Sequence, residues 1–189
     1  HVFAWDQLVK TVYNSGAGTI ASDGTGSVGE AGATATVGLD NSVAWTIEME
    51  FDSTQGHTDA VVLALDTEAG ADYSWGGGNL FATGVYHAPS AAAINVATSG
   101  GSFQDTGTSL TVPAKIRITK SGNNAVYSIA QSGGASFTDF YTHTGVLNGV
   151  ATVYPKVQFV VPGSGQVTKV SYSGTAVPVV PTSPPPPPP

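Results

Sequence analysis

Segment 43–51, VAWTIEMEF, alternates without a break. Val43, Trp45, Ile47, Met49 and Phe51 fall on one side of an extended chain, and Ala44, Thr46, Glu48, Glu50 and the following Asp52 on the other. A period of two marks a strand with one face buried and one in water, and excludes an amphipathic helix there. The same reading extends along the chain. AVVLAL at 60–65 is a continuous apolar run suited to a central strand, and AAAINVAT at 91–98 is small and apolar. In AKIRITK at 114–120, Ile116 and Ile118 stand opposite Lys115, Arg117 and Thr119. SGNN at 121–124 then turns the chain into AVYSIAQ at 125–131, a hairpin with strong turn chemistry. Segments 79–87, 150–161 and 166–172 read as further strands. Only 2–12, VFAWDQLVKTV, suits a helix, through Val2, Trp5, Leu8, Val9 and Val12, and it reads equally as an edge strand.

About ten short strands separated by Gly, Ser, Asn and Asp turns predict an all-β protein, an antiparallel two-sheet β-sandwich or jelly roll. No repeat of 20–50 residues points to a solenoid or propeller. The 189 residues are enough for one domain with a real core. With no cysteine, disulfide frameworks and thiolate metal sites are excluded. Proline divides the chain. Eight of twelve prolines lie in the final VPVVPTSPPPPPP, and Pro184, Pro185, Pro186, Pro187, Pro188 and Pro189 are consecutive. Such a run takes the polyproline II form, here a stiff rod of about 19 Å. The predicted organisation is a sandwich domain over 1–175 and a polyproline arm over 176–189.

The formal charge is −7, which disfavours a nucleic-acid partner. No stretch approaches the roughly 20 apolar residues of a membrane span. The chain opens at His1 without a visible signal peptide, so export is not legible in it. Charge is uneven. Residues 1–72 carry eleven acids and one base, and residues 73–189 five bases and two acids. Either the two stretches attract each other across one sandwich, or the acidic one forms a cation-binding edge.

AWTIEMEFDST at 44–54, the hairpin KIRITKSGNNAVYSIAQSGG at 115–134 and VYPKVQF at 153–159 resemble strands of the concanavalin A-like lectin/glucanase superfamily, including its laminin-G-like and SPRY-like sandwiches. The resemblance implies two stacked, curved antiparallel sheets. It also implies kinship with glycan-binding lectins, glucanases and adhesive domains of phage fibres and bacterial surfaces.

Three constellations carry candidate chemistry. The loop ADYSWGGGNLFATGVYH at 71–87 sets Trp75 between Ser74 and three glycines, near Tyr73, Asn79, Tyr86 and His87. Exposed aromatics beside polar groups suit stacking on a sugar ring, and the alternative is that Trp75 folds back as a lid. Asp66, Glu68 and Asp72 have the spacing of calcium ligands, so calcium is the candidate cofactor, against the simpler reading of a solvated acidic loop. Glu48, Glu50 and Asp52 share one strand face, about 6.5–7 Å apart in sequence. Paired carboxylates about 5–5.5 Å apart serve as nucleophile and acid in retaining glycoside hydrolysis, whereas a structural reading pairs these acids with Lys115 and Arg117. The four histidines are scattered and no G-x-S-x-G elbow is present, so no triad is expected.

The sequence therefore predicts a non-enzymatic structural or adhesion module of a virion or cell surface, extracellular and probing surface glycans. Its proline arm would dock on copies of itself or on other structural subunits. The alternatives are a secreted carbohydrate-binding module on a proline linker, and a glycoside hydrolase using Glu48 and Glu50.

Overall fold

The computed structural model describes residues 1–25, 31–51, 61–69, 79–88, 91–98, 104–159 and 167–179. Sixteen strands follow in these residues: β1 Trp5–Val9, β2 Thr11–Asn14, β3 Thr19–Ser22, β4 Ala31–Ala35, β5 Val37–Asp40, β6 Thr46–Phe51, β7 Val61–Asp66 and β8 Asn79–Ala88. After them come β9 Ala91–Thr98, β10 Gln104–Leu110, β11 Ala114–Ser121, β12 Asn124–Ala130, β13 Thr138–His143, β14 Thr152–Phe159, β15 Val167–Ser173 and β16 Ala176–Pro178. Every pairing among them is antiparallel. One sheet runs β1-β4-β14-β7-β8-β9-β10, with β5 and β16 joined to it through β14. The other runs β13-β12-β11-β6-β15-β3-β2. No helix of the described residues is long and apolar enough to cross a membrane.

The pairing of β6 with β11 shows why these residues form a sandwich. Met49 stands opposite Ile116 and Ile47 opposite Ile118, all buried, while Glu50 stands opposite Lys115 and Glu48 opposite Arg117 on the outer face. One register satisfies the hydrophobic face and the charged face together, and a slip of one residue would invert both. The β11–β12 hairpin closes with Ser121 opposite Asn124, and Gly122 takes φ +59°, which glycine adopts without a Cβ clash. In β5, Gly38 lies so close to β14 that an added Cβ would meet Thr152 and the Tyr154 ring at 2.6 Å.

Between the sheets lie Phe3, Trp45, Ile47, Met49, Leu63, Leu65, Phe81, Tyr127 and Phe159. Trp45 donates its indole N–H to Asn41 Oδ1 at 3.0 Å, and Asn41 Nδ2 donates to the carbonyls of Val150 at 2.9 Å and Leu147 at 3.2 Å. A buried amide thus satisfies itself by tying the 144–151 turn to the core.

Several expectations change. Residues 2–12 contain no helix. Phe3 and Trp5 are buried at a spacing of two, whereas Val2, Leu8 and Val12 of the helical set are exposed, and Lys10 at φ +50° breaks β1 from β2. Val43, expected on the core face, is 41% exposed, because pairing begins only at Thr46. The sheet also continues past residue 175. β16 pairs with β5, and Val179 N–H donates to Thr36 O at 3.2 Å. Pro184 to Pro189 lie outside the described residues.

Candidate functional site

The outer face of the seven-stranded sheet gathers three of the chain's six basic residues. Arg117 on β11 donates to Glu48 Oε1 from Nε at 2.9 Å and Nη2 at 2.7 Å, and its guanidinium lies 3.5 Å from the centre of the Phe137 ring. Lys115 donates to Glu50 Oε1 at 3.0 Å. Lys169 on β15 stands opposite Glu50 from the other side. Each glutamate alternates outward because its neighbours Ile47, Met49 and Phe51 are held in the core. The structural pairing read from the sequence for Glu48 and Glu50 is therefore present, and Asp52 lies outside the described residues. Beside Glu50 the face opens into a cleft of about 270 Å³, lined by Thr19, Glu50, Pro113, Lys115, Gly133 and Lys169 among others.

A second polar pair sits at the end of β7. Lys156 Nζ donates to Asp66 Oδ2 at 2.6 Å, and both side chains are buried, at 2% and 5% exposed. Asp66 Oδ1 accepts the backbone N–H groups of Thr67 at 2.6 Å and Glu68 at 3.3 Å. Calcium takes 6–8 oxygen ligands. Both Asp66 oxygens are engaged by N–H donors, and a cation there would have to displace the ammonium. Glu68 is exposed, and Asp72 lies outside the described residues. As arranged, Asp66 does not fit a calcium ligand. Among the described residues no group of three or more His, Cys, Asp or Glu side chains could hold a metal ion.

The expected aromatic loop divides in two. Tyr73 and Trp75 lie outside the described residues. Asn79 begins β8 opposite Asp66, while Tyr86 and His87 lie near the far end of the same strand, opposite Ala93 and Ala92. Seven residues of extended chain separate Asn79 from Tyr86 by about 23 Å. Extended β8 thus keeps Asn79 apart from Tyr86 and His87, and places Asn79 at the base of the loop that carries Tyr73 and Trp75.

Lys156 and Lys169 are the side chains that sequence reasoning passed over. Lys156 had a signal, a lone cation inside the apolar run VYPKVQFVV. Such a residue is buried only with a partner, and the acid-rich first half supplies one. Lys169 had none, because its place depends on β15 pairing with β6 across more than a hundred residues.

Two stacked antiparallel sheets around a single core, with this strand connectivity, define a concanavalin A-like, legume-lectin-like β-sandwich. The chain is similar in structure to the legume lectin-like domain from Entamoeba histolytica, with a TM-score of 0.61 and 10% identity, over 92% of this chain and 90% of that one. It is also similar to the exoplasmic/lumenal domain of VIP36 in its Ca2+/Man3GlcNAc-bound form (TM-score 0.60, 11% identity, 95% and 88% covered). A third similar structure is the CBM2 module of the evolved Dit protein of Lactobacillus casei BL23 phage J-1, with a TM-score of 0.54, 11% identity, and 86% and 77% covered. No family model matches the sequence, and no curated protein matches it.

Proposed function

We propose that the protein is a non-enzymatic, glycan-binding module of an extracellular or virion surface. The observation that supports this reading is the fold, shared over 95% of this chain with a domain solved in a Ca2+/Man3GlcNAc-bound form and over 86% of it with the CBM2 module of a phage protein. The recognition site in this reading is the β7–β8 connection. Its two ends meet where Asp66 pairs with Asn79, and Lys156 holds the Asp66 carboxylate, which anchors the base of the segment whose sequence contains Tyr73 and Trp75. Trp75 stacks on a sugar ring and Asn79 bonds its hydroxyls. Binding needs no calcium at Asp66, whose charge is already balanced by Lys156.

The proline arm extends beyond Val179 and docks on a neighbouring subunit. Glycoside hydrolysis by Glu48 and Glu50 is the weaker reading, because each carboxylate is committed to a cation on the adjacent strand. Trp75→Ala tests the proposal. Glycan-array binding is expected to be lost with the melting temperature unchanged, and no reducing sugar is released by either protein. Undiminished array binding by the variant would remove this site.

A further inference from the structure

The cleft on the outer face of the seven-stranded sheet has an electrostatic character opposite to that of the molecule. The chain carries −7, with only six Lys and Arg residues. Three of the six, Lys115, Arg117 and Lys169, converge on this face; Arg117 lies in a row with Glu48 and Asp139, whereas at the cleft Lys115 and Lys169 flank Glu50 alone, which leaves one positive charge there among the described residues. The surplus belongs to Lys169. Strand register sets Thr19, Lys169, Glu50, Lys115 and Ala130 in one row across β3, β15, β6, β11 and β12. Within that row Glu50 takes the ammonium of Lys115 at 3.0 Å. Lys169 has no ion-pair or hydrogen-bond partner for its ammonium among the described residues, and it lines the cleft.

The cleft's dimensions and walls narrow the occupant. Its volume of about 270 Å³ lies just below the roughly 300–1,000 Å³ of pockets that hold drug-sized ligands, so it suits one ring rather than an oligomer. Thr19, Ala130, Gly133 and Gly134 are small, which lets a ligand approach the sheet closely. Pro113 offers an exposed apolar ring and Thr19 a hydroxyl. Glu50, with one oxygen bonded to Lys115, keeps acceptor capacity for hydroxyl donors. An anion-pairing ammonium, an acceptor for hydroxyls and an apolar ledge together match a carboxylate-bearing pyranose.

We propose that this cleft is a second carbohydrate subsite, selective for a uronic acid residue, with Lys169 pairing the sugar carboxylate and Glu50 accepting its hydroxyls. The inference rests on the glycan-binding reading but uses a different face from Trp75. An anion is repelled by most of this protein's surface and attracted here, so the site selects acidic glycans by charge and single residues by size.

The experiment is a titration of the full chain with D-glucuronate, D-glucose and acetate, followed by isothermal calorimetry and NMR shift mapping at low salt. Glucuronate is expected to bind, with shifts centred on Lys169 and Lys115, while glucose binds at least about tenfold more weakly, as the loss of one charge-assisted bond implies. Lys169→Glu is expected to abolish glucuronate binding, and added salt to weaken it in the parent. Melting temperature verifies that the variant is folded, and Lys169→Gln provides a milder second variant with reduced affinity. Equal binding of glucose, or glucuronate binding unchanged in Lys169→Glu, overturns the subsite. Acetate that competes as well as glucuronate reduces it to a simple anion site and overturns the sugar assignment. A failure here with Trp75-dependent array binding intact leaves the glycan-binding reading standing, whereas loss of both removes that reading as well.

Discussion

Lys156 and Asp66 meet at 2.6 Å where neither side chain reaches solvent. Removing one partner leaves the other charge buried and unpaired, which costs about 3–5 kcal/mol. Lys156→Ala is therefore expected to lower the free energy of unfolding by that amount in urea denaturation. The double variant Lys156→Met/Asp66→Asn is expected to recover most of it, because the amide keeps an oxygen for the Thr67 and Glu68 N–H groups and no charge remains. A double variant as unstable as the single one would show that the pair is not the source of the loss. His143 on β13 makes a different residue-scale statement. Its ring packs edge-on against Tyr127 at 5.4 Å and Tyr141 at 5.0 Å, and its Nε2 has no hydrogen-bond partner among the described residues. Burial disfavours the imidazolium and lowers its pKa from 6.5 to about 4. In the unfolded chain the ring protonates near 6.5, so between those values the unfolded state binds more protons. The stability held above pH 6.5 by this group is lost progressively as pH falls toward 4. His143→Phe keeps the ring packing and is expected to flatten that part of the stability–pH curve. An unchanged slope in chemical denaturation would assign it to other groups.

At the scale of elements, the sequence disclosed strands in proportion to the contrast between their two faces. TIEMEF and AKIRITK, which alternate between charge and aliphatic bulk, were legible with their pairing partners on the outer face. AGATA of β4 and QDTGTSL of β10 were not. The first is small and buried throughout and the second is mostly polar, so neither carries a periodic signal. Trp5 and Phe3 sit two apart inside a segment whose exposed Val2, Leu8 and Val12 imitate a helical stripe, and only the core shows which set is buried. The candidate site was legible in its residue types and not in its geometry. NLFATGVYH reads as a strand, and that strand sets Asn79 and Tyr86 near its opposite ends, a separation that grouping them in one loop overlooked. The short β16 was hidden because Ala176–Pro178 opens a proline-rich stretch. A chain ended at Thr175 loses its pairing with β5 and the Val179–Thr36 bond. Its expected destabilisation is about 1–2 kcal/mol, roughly 2–8 °C in Tm for a domain of this size. A chain ended at Val179 is expected to melt like the parent while light scattering reports smaller assemblies. An unchanged size distribution there would remove the proposed docking of the arm.

The whole molecule is held by pairs drawn from distant parts of the chain. Glu48 with Arg117, Glu50 with Lys115 and Asp66 with Lys156 each join an acid before residue 73 to a base after it. Three of the eleven acids before residue 73 thus meet bases after it, and for these the charge asymmetry is a complementarity between the two stretches of chain. Both sheets share this long reach. β14 lies between β4 and β7, and β15 lies between β6 and β3. During synthesis on a ribosome, β4, β7 and β6 emerge long before the strands that cover them. Until Phe159 has been made the first sheet lacks β14, and until Ser173 has been made the second lacks β15, and each gap is bordered by unpaired strand edges, the kind of surface that recruits other chains. The two sheets are therefore sealed in succession, by β14 and then by β15, and a nascent chain short of these strands is the species most in need of a chaperone.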